Sequence, residues 1–300
     1  MKNCRKIIGE HEFYCCGARV LLKNGEIKLL TKPRVVYCPL FEKLYGIKEI
    51  NENSVKCAIE TKIRKLGFCC ADRVFNNSLV VPYGSSEIIS TCMREGLLDC
   101  AVTVCEGAGT VITGNPSLVQ EIGARLTGII RTTPIKNIIN YLKNNDGTIL
   151  DESAARIDQY EGVLKAVKNG YKSIAVTVAG FDSKSILKIR EIEGKCNAKI
   201  AIFSICNTCA TEEDVERILS GADVVCASAS KLICEKVGSK ALLQLGVAIP
   251  VFALTEFGKK LMLTYLMKFD ERIVIFRTRK MPYVVEGKGP KIIEERECRN

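Results

Sequence analysis

The 300-residue chain has no tryptophan, a single histidine, and no apolar run of the ~18–20 residues that a membrane-spanning helix needs. One histidine excludes metal sites that need two or three imidazoles, and it leaves only His11 for a Ser-His-Asp arrangement. His11 lies in a polar N-terminal stretch, where we expect it to be solvated. That stretch, MKNCRKIIGEHEFY, also lacks the apolar core of a secretory signal, which predicts a cytoplasmic protein.

The basic residues in excess lie at the two ends of the chain, whose formal net charge is +10. Residues 1–65 hold 14 Lys and Arg against 7 Asp and Glu, and residues 271–300 hold 8 against 5. No basic run is interleaved with aromatic residues, so we do not expect nucleic-acid binding, and a solvated surface is the simplest interpretation. The alternative is that the basic ends dock onto an acidic protein partner.

Cysteine is abundant, with 16 residues, but at about 5% it stays below the density of a secreted disulfide scaffold. Ten cysteines lie in residues 1–105, none lies in 106–195, and five lie in 196–234. In the cytoplasm we expect thiols, metal or cluster ligands, or redox groups. No ferredoxin-type C-x₂-C-x₂-C spacing is present, so a cluster would have to be assembled from separate loops.

Alternating apolar strands and helices predict an α/β fold. Continuous apolar strands are typical of a parallel sheet covered on both faces, so we expect a mostly parallel, doubly wound, Rossmann-like sheet in the C-terminal half. Its predicted strands are 173–179, 198–205, 223–228 and 247–254, and its predicted helices are 183–193, 212–220, 231–245 and 256–268. Two further strands are predicted at 78–84 and 272–279.

The N-terminal half is predicted to be mixed α/β and to contain an antiparallel hairpin. Asn24-Gly25 stands between two apolar runs, which is a strong signal for a hairpin turn. The polar stretch 144–153 is the best candidate boundary. It separates a cysteine-rich mixed α/β domain, residues 1–150, from a Rossmann-like α/β domain, residues 151–300, and the two can pack as one unit.

Cysteines follow three of the predicted strands. Cys38 comes directly after one strand, Cys105 ends another, and Cys206 comes directly after a third. Ligands of α/β sheets bind beyond the carboxyl ends of the strands, so these positions are candidates for a site.

Cys206 and Cys209 form a C-x-x-C pair directly before a predicted helix that begins at Thr211. A helix N-terminus stabilises a thiolate and lowers its pKa, so the pair is a candidate redox dithiol or half of a metal site. Zinc would need further ligands, because the chain has no other C-x-x-C. Two loop thiols without a function are the equally weighted alternative.

Two polar segments are weaker candidates. The turn after the strand that Cys105 ends can wrap an anion, because glycines let backbone N–H groups approach a phosphate. Its candidate residues are Glu106, Gly107, Gly109 and Thr110. A tight turn without a ligand is the favoured interpretation, since the motif lacks the full spacing of known phosphate loops. Asp72 and Arg73 are a candidate polar site element or, with somewhat more weight, a surface ion pair.

Four segments resemble the methanogenesis marker protein 8 family, a domain of unknown function that is typical of methanogenic archaea. They are VVYCPLFEKLYGIKEI, GFCCADR, LLDCAVTVCEGAGTVIT and PVFALTEFGKKLM. The resemblance covers most of residues 20–265 and directs attention to Cys38, Cys69 and Cys105. It implies a cytoplasmic protein of anaerobic metabolism with a link to methyl-coenzyme M reductase, its activation or its cofactors.

Three hypotheses of different classes follow. The first is an iron–sulfur cluster held by Cys38, Cys69 and Cys105, with one position open for an external ligand and zinc as the alternative metal. The second is a non-enzymatic partner in the assembly or activation of methyl-coenzyme M reductase, docked through the basic ends. The third is a phosphate-ligand enzyme centred on Glu106–Thr110, in which the thiols are incidental.

Overall fold

The computed structural model describes residues 5–123 and 128–293. Its strands are β1 (Glu10–Cys15), β2 (Ala18–Lys23), β3 (Glu26–Leu29), β4 (Val35–Tyr37), β5 (Cys100–Cys105), β6 (Gly109–Thr113), β7 (Ile129–Thr132), β8 (Gly147–Ile149), β9 (Ser173–Ala179), β10 (Lys199–Ile205), β11 (Val224–Cys226), β12 (Leu243–Leu245), β13 (Val251–Ala253) and β14 (Lys291–Ile292). Its α-helices are α1 (Pro39–Tyr45), α2 (Glu52–Leu66), α3 (Ser85–Arg94), α4 (Pro116–Gly123), α5 (Lys136–Asn144), α6 (Gln159–Lys168), α7 (Lys184–Lys195), α8 (Glu212–Gly221) and α9 (Glu256–Met267).

An eight-stranded sheet runs through the molecule in the order β12-β13-β11-β10-β9-β5-β6-β8. Its four middle strands, β11, β10, β9 and β5, are parallel, and antiparallel strands extend it at both edges. Helices α6, α7 and α8 pack on one face, and α3, α4 and α9 pack on the other. The predicted α/β class is confirmed. The sheet takes strands from both sides of residue 150.

The continuous apolar strands follow from this two-sided burial. Successive side chains of a strand point to opposite faces, so a strand covered on both faces needs an apolar residue at every position. On β10, Ile200 and Ile202 pack beneath α7, whereas Ala201 and Phe203 pack towards α9 on the other face.

A second, four-stranded sheet has the order β3-β2-β1-β7 and is antiparallel. The predicted hairpin at Asn24-Gly25 is confirmed, with φ of 54° and 83° at its two turn residues. Such a pair of left-handed residues is the two-residue turn that suits the twist of antiparallel strands. The sheet shares one apolar core with α1 and α2.

Four predicted elements differ in the structure. Residues 78–84 form no strand, and they contain Pro82 and a left-handed Tyr83 (φ 63°). Residues 272–279 also form no strand, because no strand within residues 5–123 and 128–293 pairs with them. The predicted helix 231–245 gives way to a short π-helix, Ile233–Val237, one 3₁₀ turn and strand β12. The last predicted parallel strand is β13, which runs antiparallel to β11.

Candidate functional site

A cavity of about 650 Å³ lies at the carboxyl ends of the parallel strands. Thr103 of β5, Thr177 of β9 and Ile205 of β10 form part of one wall. The opposite wall comes from the antiparallel sheet and the segment after β4, with Tyr14 and Gly17 among its residues. The position is the one at which α/β sheets bind their ligands.

The cavity is distinguished by the cysteine side chains that line it. Five thiols line it, and they come from distant parts of the chain: Cys16, Cys38, Cys206, Cys209 and Cys226. Sequence reasoning singled out Cys38, Cys206 and Cys209 but missed the other two. Cys16 and Gly17 form a second two-residue hairpin turn, between β1 and β2; the sequence could have indicated this turn but not its position at the cavity.

The hairpin turn at Cys16-Gly17 presents Cys16 to the cavity. Both residues have a left-handed backbone, with φ of 52° and 77°. The Cys16 carbonyl accepts hydrogen bonds from the N–H groups of Arg34 and Val35, each at 3.1 Å. The turn is therefore fixed to the start of β4, the strand that leads to Cys38. Neighbouring Cys15 accepts a hydrogen bond from the Cys16 thiol, which lowers the pKa of Cys15 and raises that of Cys16.

Cys38 is the N-cap residue of α1. Its backbone is extended, Pro39 occupies the first helical turn, and the Glu42 N–H donates to the Cys38 carbonyl at 2.9 Å. Proline suits that position because its missing N–H would have no helical partner. Burial raises the pKa of the Cys38 thiol, although the N–H groups of Phe41 and Leu40 act in the opposite direction.

Cys206, Cys209 and Cys226 lie on the sheet side of the cavity. Cys206 follows β10 with a left-handed backbone (φ 54°), and Cys226 is the last residue of β11. Burial raises the pKa of Cys206 to about 12, and Cys226 adds to the rise. The sequence predicted that the N-terminus of the following helix would lower the pKa of these thiols. For Cys206 this prediction is wrong, because burial raises its pKa by more. The Cys209 sulfur lies 3.8 Å from the Gly17 carbonyl oxygen, on the opposite wall.

Cys69 and Cys105 do not line the cavity. Both are fully buried beside an ion pair between Arg73 and Glu106, whose Nε and Oε1 atoms are 2.6 Å apart. The side chains of this pair are only 4% and 1% exposed. Burial and the Glu106 carboxylate raise the pKa of both thiols well above its ordinary value. The structure thus separates Cys38 from the other two predicted ligands.

The two residues of the Asp72-Arg73 pair have different partners. Asp72 is exposed and forms an ion pair with the half-buried Arg5, at 3.1 Å. Arg73 points into the protein and, besides pairing with Glu106, donates to the Glu121 carbonyl at 3.1 Å. Asp72 and Arg73 therefore do not pair with each other. Asp72 pairs with Arg5 at the surface, and Arg73 pairs with Glu106 in the interior.

The turn at 106–110 is buried, and protein groups use its donors. The Gly107 N–H donates to the Thr132 hydroxyl at 2.7 Å, the Ala108 N–H to the Cys105 carbonyl at 3.2 Å, and the Thr110 N–H to the Arg156 carbonyl at 3.0 Å. A Cβ at Gly109 would lie 2.2 Å from the Ala155 carbonyl oxygen, so only glycine fits there. These contacts favour the tight turn without a ligand over anion binding.

His11 is buried, so the expectation that it is solvated is wrong. Its Nε2–H donates to the Ile8 carbonyl at 2.7 Å, and its Nδ1 lies 2.6 Å from the Thr132 hydroxyl. Because that hydroxyl already accepts the Gly107 N–H, it donates its own proton to Nδ1. Burial lowers the pKa of His11, and the neutral ring holds Thr132 against the 106–110 turn.

Within residues 5–123 and 128–293, no group of three or more His, Cys, Asp or Glu side chains is arranged to hold a metal ion. The cavity cysteines share a space without forming a closed coordination shell. In the same part of the chain, no helix is both long and apolar enough to cross a lipid bilayer.

The chain is similar to a protein family and to a protein of a known organism. The family described as "Uncharacterized protein conserved in archaea (DUF2099)" matches residues 11–267. An uncharacterized protein of Methanocaldococcus jannaschii is 39% identical over 275 residues, which is 91% of this chain and 95% of that relative. The family match includes every residue that lines the cavity.

Proposed function

The chain belongs to the DUF2099 family of archaeal proteins, and we propose that it binds a thiolate-coordinated metal centre in the cysteine-lined cavity. The centre is an iron–sulfur cluster or, alternatively, a zinc ion. Its ligands come from both walls, with Cys16 and Cys38 on one and Cys206, Cys209 and Cys226 on the other. The observation that supports this proposal is the convergence of five distant thiols on one cavity.

The chemistry of the ligand set favours a soft metal. Thiolates select zinc, iron–sulfur clusters and monovalent copper, and four of them complete a tetrahedral shell. Five thiols therefore supply a full shell with one to spare. Metal sites are seldom fully formed before the metal binds, so the open arrangement of the thiols is compatible with a site that closes on its ligand.

Backbone strain at the same cavity supports a functional role. Three residues that line it have a left-handed backbone without being glycine: Cys16, Cys206 and Ser228, with φ of 52°, 54° and 53°. Each such residue costs of the order of 1–3 kcal/mol, and strain of this kind concentrates at functional sites. Two of the three are proposed ligands.

The test is a titration of the reduced, metal-free protein with Co²⁺ under anaerobic conditions, followed by thiolate-to-cobalt charge-transfer absorption. We expect the wild type to bind Co²⁺, and Cys38→Ser, Cys206→Ser and Cys209→Ser to weaken binding at least ~10-fold, since even groups outside the ligand shell are worth about 10–100-fold. The matched control is Cys57→Ser, because Cys57 is exposed on α2.

Each remaining outcome counts against the cavity site. A wild type without charge-transfer absorption contradicts metal binding through thiolates. Equal affinities for Cys57→Ser and the cavity variants contradict the proposed ligands. Losses confined to Cys38→Ser, Cys69→Ser and Cys105→Ser would instead support the ligand set predicted from the sequence.

A second candidate function is docking onto an acidic partner in anaerobic metabolism, with methyl-coenzyme M reductase or its activation as the proposed context. The supporting observation is an exposed apolar segment: Val274 and Ile275 are 88% and 77% exposed, and Arg272 and Arg277 flank them. The methanogen relative and the resemblance to methanogenesis marker protein 8 support this context. We expect the protein to co-purify with the reductase and the association to weaken as the salt concentration rises. Val274→Asp should abolish co-purification, and Cys206→Ser should retain it. If the wild type does not co-purify with the reductase, docking is contradicted.

A further inference from the structure

The segment that follows α9 is exposed along its whole length. Residues 271–280 are all exposed, and in the part of the chain that the structure describes no strand pairs with them. They nevertheless include four consecutive apolar residues, 273–276, of which Val274 is 88% exposed. Single exposed apolar side chains are ordinary, whereas a contiguous exposed apolar patch marks an interaction site. We refer to residues 271–277 as the arm.

The body of the protein holds the arm from both sides. Helix α9 leads into it, and beyond it the backbone of Tyr283 is bound by the side chain of Gln244 in β12. The Tyr283 N–H donates to Gln244 Oε1 at 2.9 Å, and Gln244 Nε2 donates to the Tyr283 carbonyl at 2.6 Å. The ring of Phe276, in the arm, also contacts the Tyr283 ring, with 4.9 Å between the centroids. The protein therefore presents the arm at a defined place on its surface.

The sequence of the arm complements itself when two copies run in opposite directions. The arm has the sequence ERIVIFR, with an acidic residue at its start, a basic residue at its end and β-branched residues between them. β-Branched and aromatic residues favour strands. Two parallel arms in register would place like charges side by side, whereas two antiparallel arms place each acidic start against a basic end. A second copy of this chain is therefore the partner that fits the arm.

We propose that the arms of two copies pair as antiparallel strands, with Val274 on the two-fold axis of a homodimer. In this register Glu271 of each copy lies opposite Arg277 of the other. Between these charge pairs, Ile273 of each copy lies opposite Ile275 of the other. Opposite charges and apolar β-branched residues that face each other directly across two strands both stabilise the pairing.

The other face of the paired arms has complementary residues as well. Arg272 of each copy lies opposite Phe276 of the other, where a guanidinium and a ring attract each other. A slip by one residue loses the charge pairs, and in one direction it places Arg272 opposite Arg277, which is destabilising. A two-stranded ribbon alone is marginal in water, and the exposed Leu263 and Met267 of α9 provide apolar surface directly before each arm.

The dimer involves neither the metal centre nor the cavity thiols. It does cover the segment that docking onto the reductase would use, so a second copy and the reductase exclude each other at this surface. A charge exchange within the arm separates the two associations, because only pairing between two copies requires Glu271 to lie opposite Arg277.

The test is sedimentation velocity of the full-length, reduced protein over a series of concentrations. We expect the wild type to dimerise and Glu271→Arg to raise the dimer dissociation constant at least ~10-fold, because two attractive pairs per dimer become repulsive. Adding Arg277→Glu to that variant should restore the dimer. The control is Glu191→Arg, an exposed charge on α7 at the opposite face of the sheet, and it should dimerise like the wild type. Cys206→Ser should also dimerise.

Three results would overturn the proposal. A wild type that stays monomeric at every concentration shows that the arms do not pair. A dimer that persists in both Glu271→Arg and Val274→Asp is formed by another surface. A double variant, Glu271→Arg with Arg277→Glu, that dimerises no better than Glu271→Arg alone shows that these two residues do not lie opposite each other.

Discussion

The sulfur of Cys209 lies 3.8 Å from the carbonyl oxygen of Gly17, although 192 residues separate the two in the chain. Through this contact the loop after β10 meets the hairpin turn between β1 and β2. The contact brings the C-x-x-C pair against the turn that carries Cys16. The two walls of the cavity are therefore held next to each other by the protein before any ligand binds.

The first prediction concerns the two hairpin turns. Gly17 and Gly25 both have a left-handed backbone, with φ of 77° and 83°, but only a Cβ at Gly17 would meet a neighbour, the Cβ of Arg34 at 2.9 Å. Gly25→Ala should cost about 1–2 kcal/mol of unfolding free energy from its backbone alone. Gly17→Ala should cost more and should also weaken Co²⁺ binding, because it displaces Cys16. Urea denaturation and the Co²⁺ titration measure both effects, and equal behaviour of the two variants would contradict this account of the turn.

The second prediction concerns the buried ion pair between Arg73 and Glu106. Removing one partner leaves an uncompensated buried charge, so Arg73→Met and Glu106→Gln should each cost about 3–5 kcal/mol in urea denaturation. The double variant Arg73→Met with Glu106→Gln should lose less than the sum, since no charge is left unpaired. Asp72→Asn, at the exposed carboxylate that pairs with Arg5, is the control and should cost less than about 1 kcal/mol. Additive losses in the double variant would refute the coupling.

The third prediction concerns the pH dependence of stability. Burial lowers the pKa of His11 below its ordinary value of 6.5, so the unfolded chain binds a proton that the folded protein does not. The contribution of His11 is therefore complete above pH ~6.5 and is lost as the pH falls below it. His11 is the only histidine of the chain, so His11→Gln should flatten the dependence of the unfolding free energy between about pH 5.5 and 7. Identical slopes for both proteins would show that another group titrates there.

Patterns within short segments predicted much of the fold. The apolar runs of β9 and β10 and the Asn24-Gly25 turn carry their information locally, and the structure has them where the sequence placed them. Strand direction is not encoded in an apolar run. The segment that forms β13 therefore has the composition of a parallel strand but pairs antiparallel with β11. Residues 272–279 likewise have the pattern of a strand, but the described part of the chain offers them no strand to pair with.

The candidate site was predictable in part. Cys206 could be found because it follows β10, and ligands bind beyond the carboxyl ends of such parallel strands. Cys38 also follows a strand, but β4 pairs with β14 outside the eight-stranded sheet, so its place in the cavity depends on packing between elements. Cys16 depends on a contact between the hairpin turn and a loop nearly 200 residues later, which no local pattern contains.

The most direct test of the metal site is the metal content of the protein purified without oxygen. Iron with acid-labile sulfide, or zinc without it, should accompany the wild type in a fixed ratio. The double variant Cys16→Ser with Cys206→Ser should lose that metal, while Cys57→Ser should keep it. A wild type that contains no more metal than the double variant would contradict the account.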